Sequence, residues 1–141
     1  MLRSVDVATS YLASGLRLGA GMTVHAPGNR PTKTLELYEF EACPFCRRVR
    51  EVLSSLDLEA IVYPCPKGGR HRARVRELGG KEQFPFLVDP NSGDQLYESS
   101  DIIRHLVDRY GDGRAPQRLL ATASSVAGVG GGAGRGVVHI E

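Results

Sequence analysis

One stretch of twelve residues, Leu35 to Cys46 (LELYEFEACPFC), constrains the fold more than any other. An apolar, partly aromatic run of strand character (Leu35, Leu37, Tyr38, Phe40) stops at Glu41-Ala42. Two cysteines follow with two residues between them, Cys43-Pro44-Phe45-Cys46, and a helical pattern starts at once and runs to about Leu56. The free N–H groups and positive end of such a helix favour a thiolate at Cys43. Pro44 fits the first helical turn, where no backbone donor is missed. A thiol pair on a helix start at the end of a strand is a redox arrangement.

The totals bound the rest. A chain of 141 residues allows one compact domain plus tails. A net charge of +2 gives no reason to expect a nucleic-acid partner, and no apolar run approaches the length of a membrane span. Three cysteines, two of them in a C-x-x-C, make no disulfide framework and favour a reducing compartment.

Three segments are expected. Residues 1–31 are an arm in which Val5, Ala8, Leu12 and Leu16 recur at helical spacing before Gly19, Gly21, Pro27, Gly28 and Pro31 break the pattern. A surface helix docking on the domain is expected. Arg3, Arg17 and several serines could instead belong to an organelle targeting segment, although Asp6 and the shortness of the stretch count against that. The expected compartment is therefore the cytoplasm, with a chloroplast or another organelle as the alternative.

Residues 32–111 carry the globular pattern. Strands are expected at Leu35–Phe40, Glu59–Tyr63, Phe86–Asp89 and Gln95–Tyr97. Helices are expected at Phe45–Leu56, with Arg47, Arg48, Arg50 and Glu51 off its apolar face, at His71–Leu78, and after a cap at Ser99 or Ser100. The order β-α-β-α-β-β-α implies a mixed four-stranded α/β sheet with helices on its faces. Residues 112–141 are a Gly-, Ala- and Ser-rich tail. At an offset of 113, Gly15, Gly19, Ala20, Gly21 and Val24 align with Gly128, Gly132, Ala133, Gly134 and Val137, as the start of a second copy of the unit would.

Several residues can carry chemistry. Cys43 reads as a nucleophile and Cys46, one turn further in, as its resolving thiol. Half of a zinc site, or inert core cysteines, are the other readings of the pair. Cys65, in the loop Pro64–Gly69, could be a third redox thiol or a packed cysteine. A zinc set of Cys43, Cys46, Cys65 and His71 has the spacing of no common finger, so no metal is expected. Pro85 stands where a strand begins, and a cis peptide there would expose the backbone of Phe84 to an extended ligand. Glu98-Ser99-Ser100-Asp101 is a capping motif that could also present a helix N-terminus to a ligand carboxylate, with an acid for its ammonium. Residues 43–76 hold eight Arg or Lys against three acids, a solvated face that would also attract a small anionic thiol.

CPFC at a helix start, QFPFLVDPNSG and YESSDIIRHL together resemble the glutaredoxin-like, glutathione S-transferase N-terminal domain family of the thioredoxin superfamily, over roughly residues 33–111. YPCPKGG followed by GGKEQFPFLVDPNSG is most similar to plant and bacterial thioredoxin-like proteins built from two such domains in tandem, of which this chain carries one. The resemblance implies a thioredoxin-like fold, with Cys43 attacking and Cys46 resolving. It further implies that the backbone at Phe84 and cis-Pro85 pairs with the cysteinyl part of glutathione, and that Glu98 and Ser99 hold its γ-glutamyl part. The implied activity is a glutathione-linked thiol–disulfide oxidoreductase, with glutathione as co-substrate and disulfide or glutathionylated proteins as partners. A non-catalytic module binding glutathione or an iron–sulfur cluster, and a transferase-like domain, are the alternatives. No all-helical transferase domain is read after residue 111, so redox exchange is expected over conjugation.

Overall fold

The computed structural model describes residues 8, 9, 11, 12, 21–25 and 27–113. The elements follow the expected order: β1 (Leu35–Glu39), α1 (Pro44–Ser55), β2 (Ala60–Pro64), α2 (His71–Gly79), β3 (Phe86–Asp89), β4 (Asp94–Leu96) and α3 (Ser99–Tyr110). The sheet order is β2-β1-β3-β4. β2 runs parallel to β1 and the other pairs are antiparallel.

Strand alternation sends side chains to two different cores. Leu35 and Leu37 point to the face covered by α1 and α3, where Val49, Val52, Leu53, Ile102, Ile103 and Leu106 pack. Tyr38 points to the other face, against Cys65, Val75, Phe86 and Tyr97. β1 is therefore covered on both sides, as its poorly separated pattern requires. β2 is an edge strand, which leaves Ile61 and Val62 about half exposed. Gly79 packs so closely on Tyr97 that a Cβ would fall 2.0 Å from its hydroxyl oxygen, and Gly80 ends α2 in the left-handed region at φ 84°.

Three expectations are corrected. Neither Ser99 nor Ser100 caps α3: both lie inside its first turn, and Glu98 is the N-cap residue. The Glu98 side chain makes no capping bond because it accepts a hydrogen bond from the Gln83 amide. Arg48 is buried rather than outward. It shares the stripe Arg48–Val52–Ser55, which is buried along its length. The arm does not dock through Leu12: residues 8, 9, 11 and 12 are helical, but Tyr11 and Leu12 are exposed. The docking is made by the extended stretch nearer the domain. His25 N–H donates to Ser55 O, Gly28 N–H to Tyr110 O, and the Arg30 guanidinium to the Asp57 carbonyl and carboxylate. Val5 and Leu16 of the expected arm helix, and the tail with its internal match, lie outside the described residues.

At the end of the sheet away from the cysteines, Asp89 is fully buried. Its carboxylate accepts from the Tyr110 hydroxyl at 2.7 Å and from Asn91 N–H and Nδ2 at 2.9 Å, and lies 2.7 Å from His105 Nε2. Burial alone would raise the Asp89 carboxyl, but the bonds from Tyr110, His105 and Asn91 outweigh it and bring the group down to about 2. A carboxyl lowered in the folded state stabilises above its unfolded value and loses that contribution as pH falls through the folded one. The fall from 3.8 to about 2 corresponds to about 2 kcal/mol. Urea unfolding should therefore show stability declining below pH 3.8, and Asp89→Ala should cost about 3–5 kcal/mol at neutral pH. An unchanged urea midpoint in Asp89→Ala would refute this role.

Candidate functional site

The site forms where the carboxyl end of β1 meets the start of α1. Phe40 and the Glu41-Ala42 turn leave the sheet, and Ala42 takes the left-handed region at φ 64°. That turn delivers Cys43 to the N-cap of α1 in extended conformation, with Pro44 next. Cys43 Sγ accepts a hydrogen bond from Cys46 N–H at 3.4 Å. The sulfur thus takes one of the donors that a helix start leaves unpaired. Phe45, between the two cysteines, projects outward and is 42% exposed.

The two thiols differ in environment. Cys43 retains 6% of its surface and Cys46 none. Burial first, then the hydrogen bond to Cys43 and the neighbouring Cys43 and Glu39 groups, push the Cys46 thiol up to about 12, while a bond from the Phe40 backbone acts the other way. All three cysteines are free thiols.

The register brings the other expected residues to the same edge. Tyr38 pairs with Phe86, so the residues just before Phe86 lie beside the residues just after Tyr38. The Phe84–Pro85 peptide is cis. The Phe84 ring meets the Phe40 ring edge-on at 5.9 Å. Gln83, one residue before Phe84, donates to Glu98, which ties the start of α3 to this loop. Ser99 follows and is buried. Cys43, Phe84, Pro85, Glu98 and Ser99 therefore share one end of the sheet.

Cys65 is at that end but beneath it. It follows β2 directly, and its N–H donates to Glu39 O at 2.6 Å. The side chain is fully buried against Tyr38, Val75, Phe86 and Tyr97, and the thiol donates to Tyr63 O at 3.5 Å. Burial raises this thiol, partly offset by Arg72. Among the described residues no group of three or more His, Cys, Asp or Glu side chains is placed to hold a metal ion.

Two residues gain importance that the sequence reading did not give them. In the sequence Arg72 reads only as surface charge. Its Nε donates to Cys65 O at 3.1 Å and Pro66 O at 2.9 Å, its Nη1 reaches Glu82 at 3.1 Å, and its guanidinium lies 4.9 Å from the centre of the Phe84 ring. It clamps the β2–α2 loop to the segment before Pro85. Glu39, the last residue of β1, is buried and paired with Arg50 of α1 at 3.2 Å. A signal for it existed, because the inward row Leu35, Leu37 continues to position 39.

These burials can be checked chemically. Brief alkylation followed by peptide mapping should leave Cys46 and Cys65 unlabelled in the folded protein and label all three cysteines in urea. Labelling of Cys65 at its unfolded rate in native protein would contradict its placement.

The family model for the N-terminal domain of glutathione S-transferase matches residues 37–116, more than half of the chain. No curated protein matches. Among solved structures, a Bombyx mori glutathione transferase is similar at 25% identity and a TM-score of 0.52, covering 59% of this chain and 38% of that one. Ure2p in complex with S-p-nitrobenzylglutathione shares the fold at 24% identity and a TM-score of 0.52, covering 62% and 39%. So does a glutathione S-transferase of Ceriporiopsis subvermispora in complex with glutathione, at 18% identity and a TM-score of 0.51, covering 67% and 46%. The chain thus spans less than half the length of each of these proteins. With its mixed sheet, the helices α1 to α3 and the cis-proline loop on one thioredoxin-like scaffold, the chain belongs to the glutathione S-transferase N-terminal domain family.

Proposed function

We propose that this domain is a glutathione-linked thiol–disulfide oxidoreductase. The observation that carries the reading is the unequal thiol pair: Cys43 at the N-cap of α1, its sulfur taking the Cys46 N–H, and Cys46 fully enclosed one turn on. Cys43 attacks one sulfur of a disulfide or of a glutathionylated protein. The substrate S–S bond breaks, a Cys43 mixed disulfide forms, and the departing thiolate takes a proton. Cys46, or a molecule of glutathione, then attacks the Cys43 sulfur and displaces the bound thiol. Two glutathione molecules return the Cys43–Cys46 disulfide to the dithiol and leave as oxidised glutathione.

The cis Phe84–Pro85 peptide and the Glu98-Ser99 start of α3 support glutathione as the co-substrate. In this reading the backbone at Phe84 pairs with its cysteinyl part, while Glu98 and the α3 N-terminus receive its γ-glutamyl ammonium and carboxylate. The solved structures that share the fold with glutathione or a glutathione derivative bound are in keeping with this. Arg72 acts by holding the loop that carries Phe84.

Family membership also favours a second reading, a transferase-like domain that handles glutathione without thiol exchange. One substitution separates the two. Purified protein should reduce a small mixed disulfide with glutathione, and Cys43→Ser should lower kcat/KM by more than about 10³-fold, as loss of a nucleophile does. Turnover surviving in Cys43→Ser would sink the redox reading, and conjugation of an electrophile surviving with it would establish the transferase-like one.

A further inference from the structure

β2 ends its side of the sheet, and among the described residues nothing pairs with its outer side. The phase of its backbone can be read from one bond. Cys65 N–H donates to Glu39 O of β1, and Glu39 stands level with Pro64. In a strand the backbone N–H and C=O of alternate residues point to the same neighbour. Ile61 and Tyr63 therefore share the direction of Cys65 and face β1, while Ala60, Val62 and Pro64 face outward. Proline has no N–H, and its place on the outward side costs β1 no bond. The open edge thus offers the N–H and C=O of Ala60 and Val62 and the C=O of Pro64.

Such edges are ordinarily blunted by a lysine, a proline or a covering loop. Here Pro64 blunts only the last position. From Leu58 to Pro66 the only charged residue is Glu59. Ile61 and Val62, on opposite faces of the strand, are 47% and 46% exposed. Charge gathers at the two ends instead, with Asp57 and Glu59 before the strand and Lys67 and Arg70 after it.

We propose that a second copy of this chain pairs with β2, antiparallel about a two-fold axis at Ile61, and joins the two four-stranded sheets into one. In this register Ala60 of one copy and Val62 of the other exchange both their N–H···O bonds, and the two-fold repeats the pair. Every outward N–H of β2 is then used. Pro64 comes opposite Leu58, whose own N–H is already given to Leu53 O, so the donor that proline lacks is matched by one that is spent. Ile61 meets its own copy on the α2 face, and Val62 meets Ala60 on the other. Reversal of direction sets the acidic start of each strand against the basic end of its partner. Glu59 comes opposite Tyr63, whose ring lies 5.2 Å from the His71 ring at the start of α2. This self-complementarity in bonds, side chains and charge selects a second copy over an unrelated strand. The contact is small against the roughly 1,200 Å² of stable complexes, so a dissociation constant between about 10 µM and about 1 mM is expected.

The test is sedimentation equilibrium of the full chain with reducing agent, from about 5 µM to about 1 mM, with hydrogen exchange of single amides followed by NMR at both ends of that range. The mass should rise from monomer toward dimer. The Ile61 and Tyr63 amides, bonded to β1, should exchange slowly throughout, whereas those of Ala60 and Val62 should become protected only as the dimer forms. Val62→Pro deletes an N–H that β1 does not use, so it should keep the monomer fold and raise the dissociation constant by about tenfold or more. Ile61→Lys sets like charges together at the axis and should do the same; it decides the matter if Val62→Pro does not fold. A monomer at every concentration would overturn the proposal, as would a dimer that neither substitution weakens. Ala60 and Val62 amides already protected in the monomer would mean that another segment of the chain covers the edge, and would overturn it too.

Discussion

The pairing of β1 on both sides is the constraint on which the site depends. Tyr38 faces Phe86 across the antiparallel pair, and Cys65 N–H reaches Glu39 O just past the parallel one. Those two contacts fix where three chain segments end: the turn into α1, the loop into α2, and the cis peptide before β3. A slip of one residue in β1 would turn Leu35, Leu37 and Glu39 to the opposite face and carry Cys43 away from Phe84. Burial holds the register, since Leu35, Leu37 and Phe86 are fully enclosed and each contributes about 1.5–3 kcal/mol by leaving water.

The far end of the sheet is held by polar bonds. Asp89 collects Tyr110, His105 and Asn91, and the Asn91 side chain bonds Lys33 N–H at the entrance to β1. The end of α3, the β3–β4 turn and the approach to β1 are thus tied at one point. The two ends treat buried carboxyls differently. Asp89 has its oxygens well hydrogen-bonded and is lowered, which suits a structural tie. Glu39 has one oxygen without an aligned bond, and burial raises it against the opposing pull of Arg50.

Much of this was legible in the residues. Alternation and the breakers at Pro64, Gly79-Gly80 and Pro90–Gly93 gave the element order, because they act through local geometry. CPFC at a strand end gave the position of the thiols. What was not legible depends on tertiary contact. Cys65 follows a proline in a loop, yet the β1–β2 pairing draws it under the sheet. Arg48 looks like a surface cation until its stripe on α1 is seen to be buried. The serines that open α3 are good caps by composition, but both fall inside its first turn and Glu98, bonded to Gln83, takes the N-cap position. The docking of the arm at His25 and Gly28 uses backbone N–H groups, which no side-chain pattern records.

The central claim is that Cys43 is the thiol that exchanges with glutathione. The most direct measurement is mass-spectrometric mapping of Cys46→Ser protein after exposure to oxidised glutathione. The account predicts one glutathione per chain, attached at Cys43, with Cys65 unmodified. Glutathione on Cys65 with Cys43 free, or no adduct at all, would contradict it.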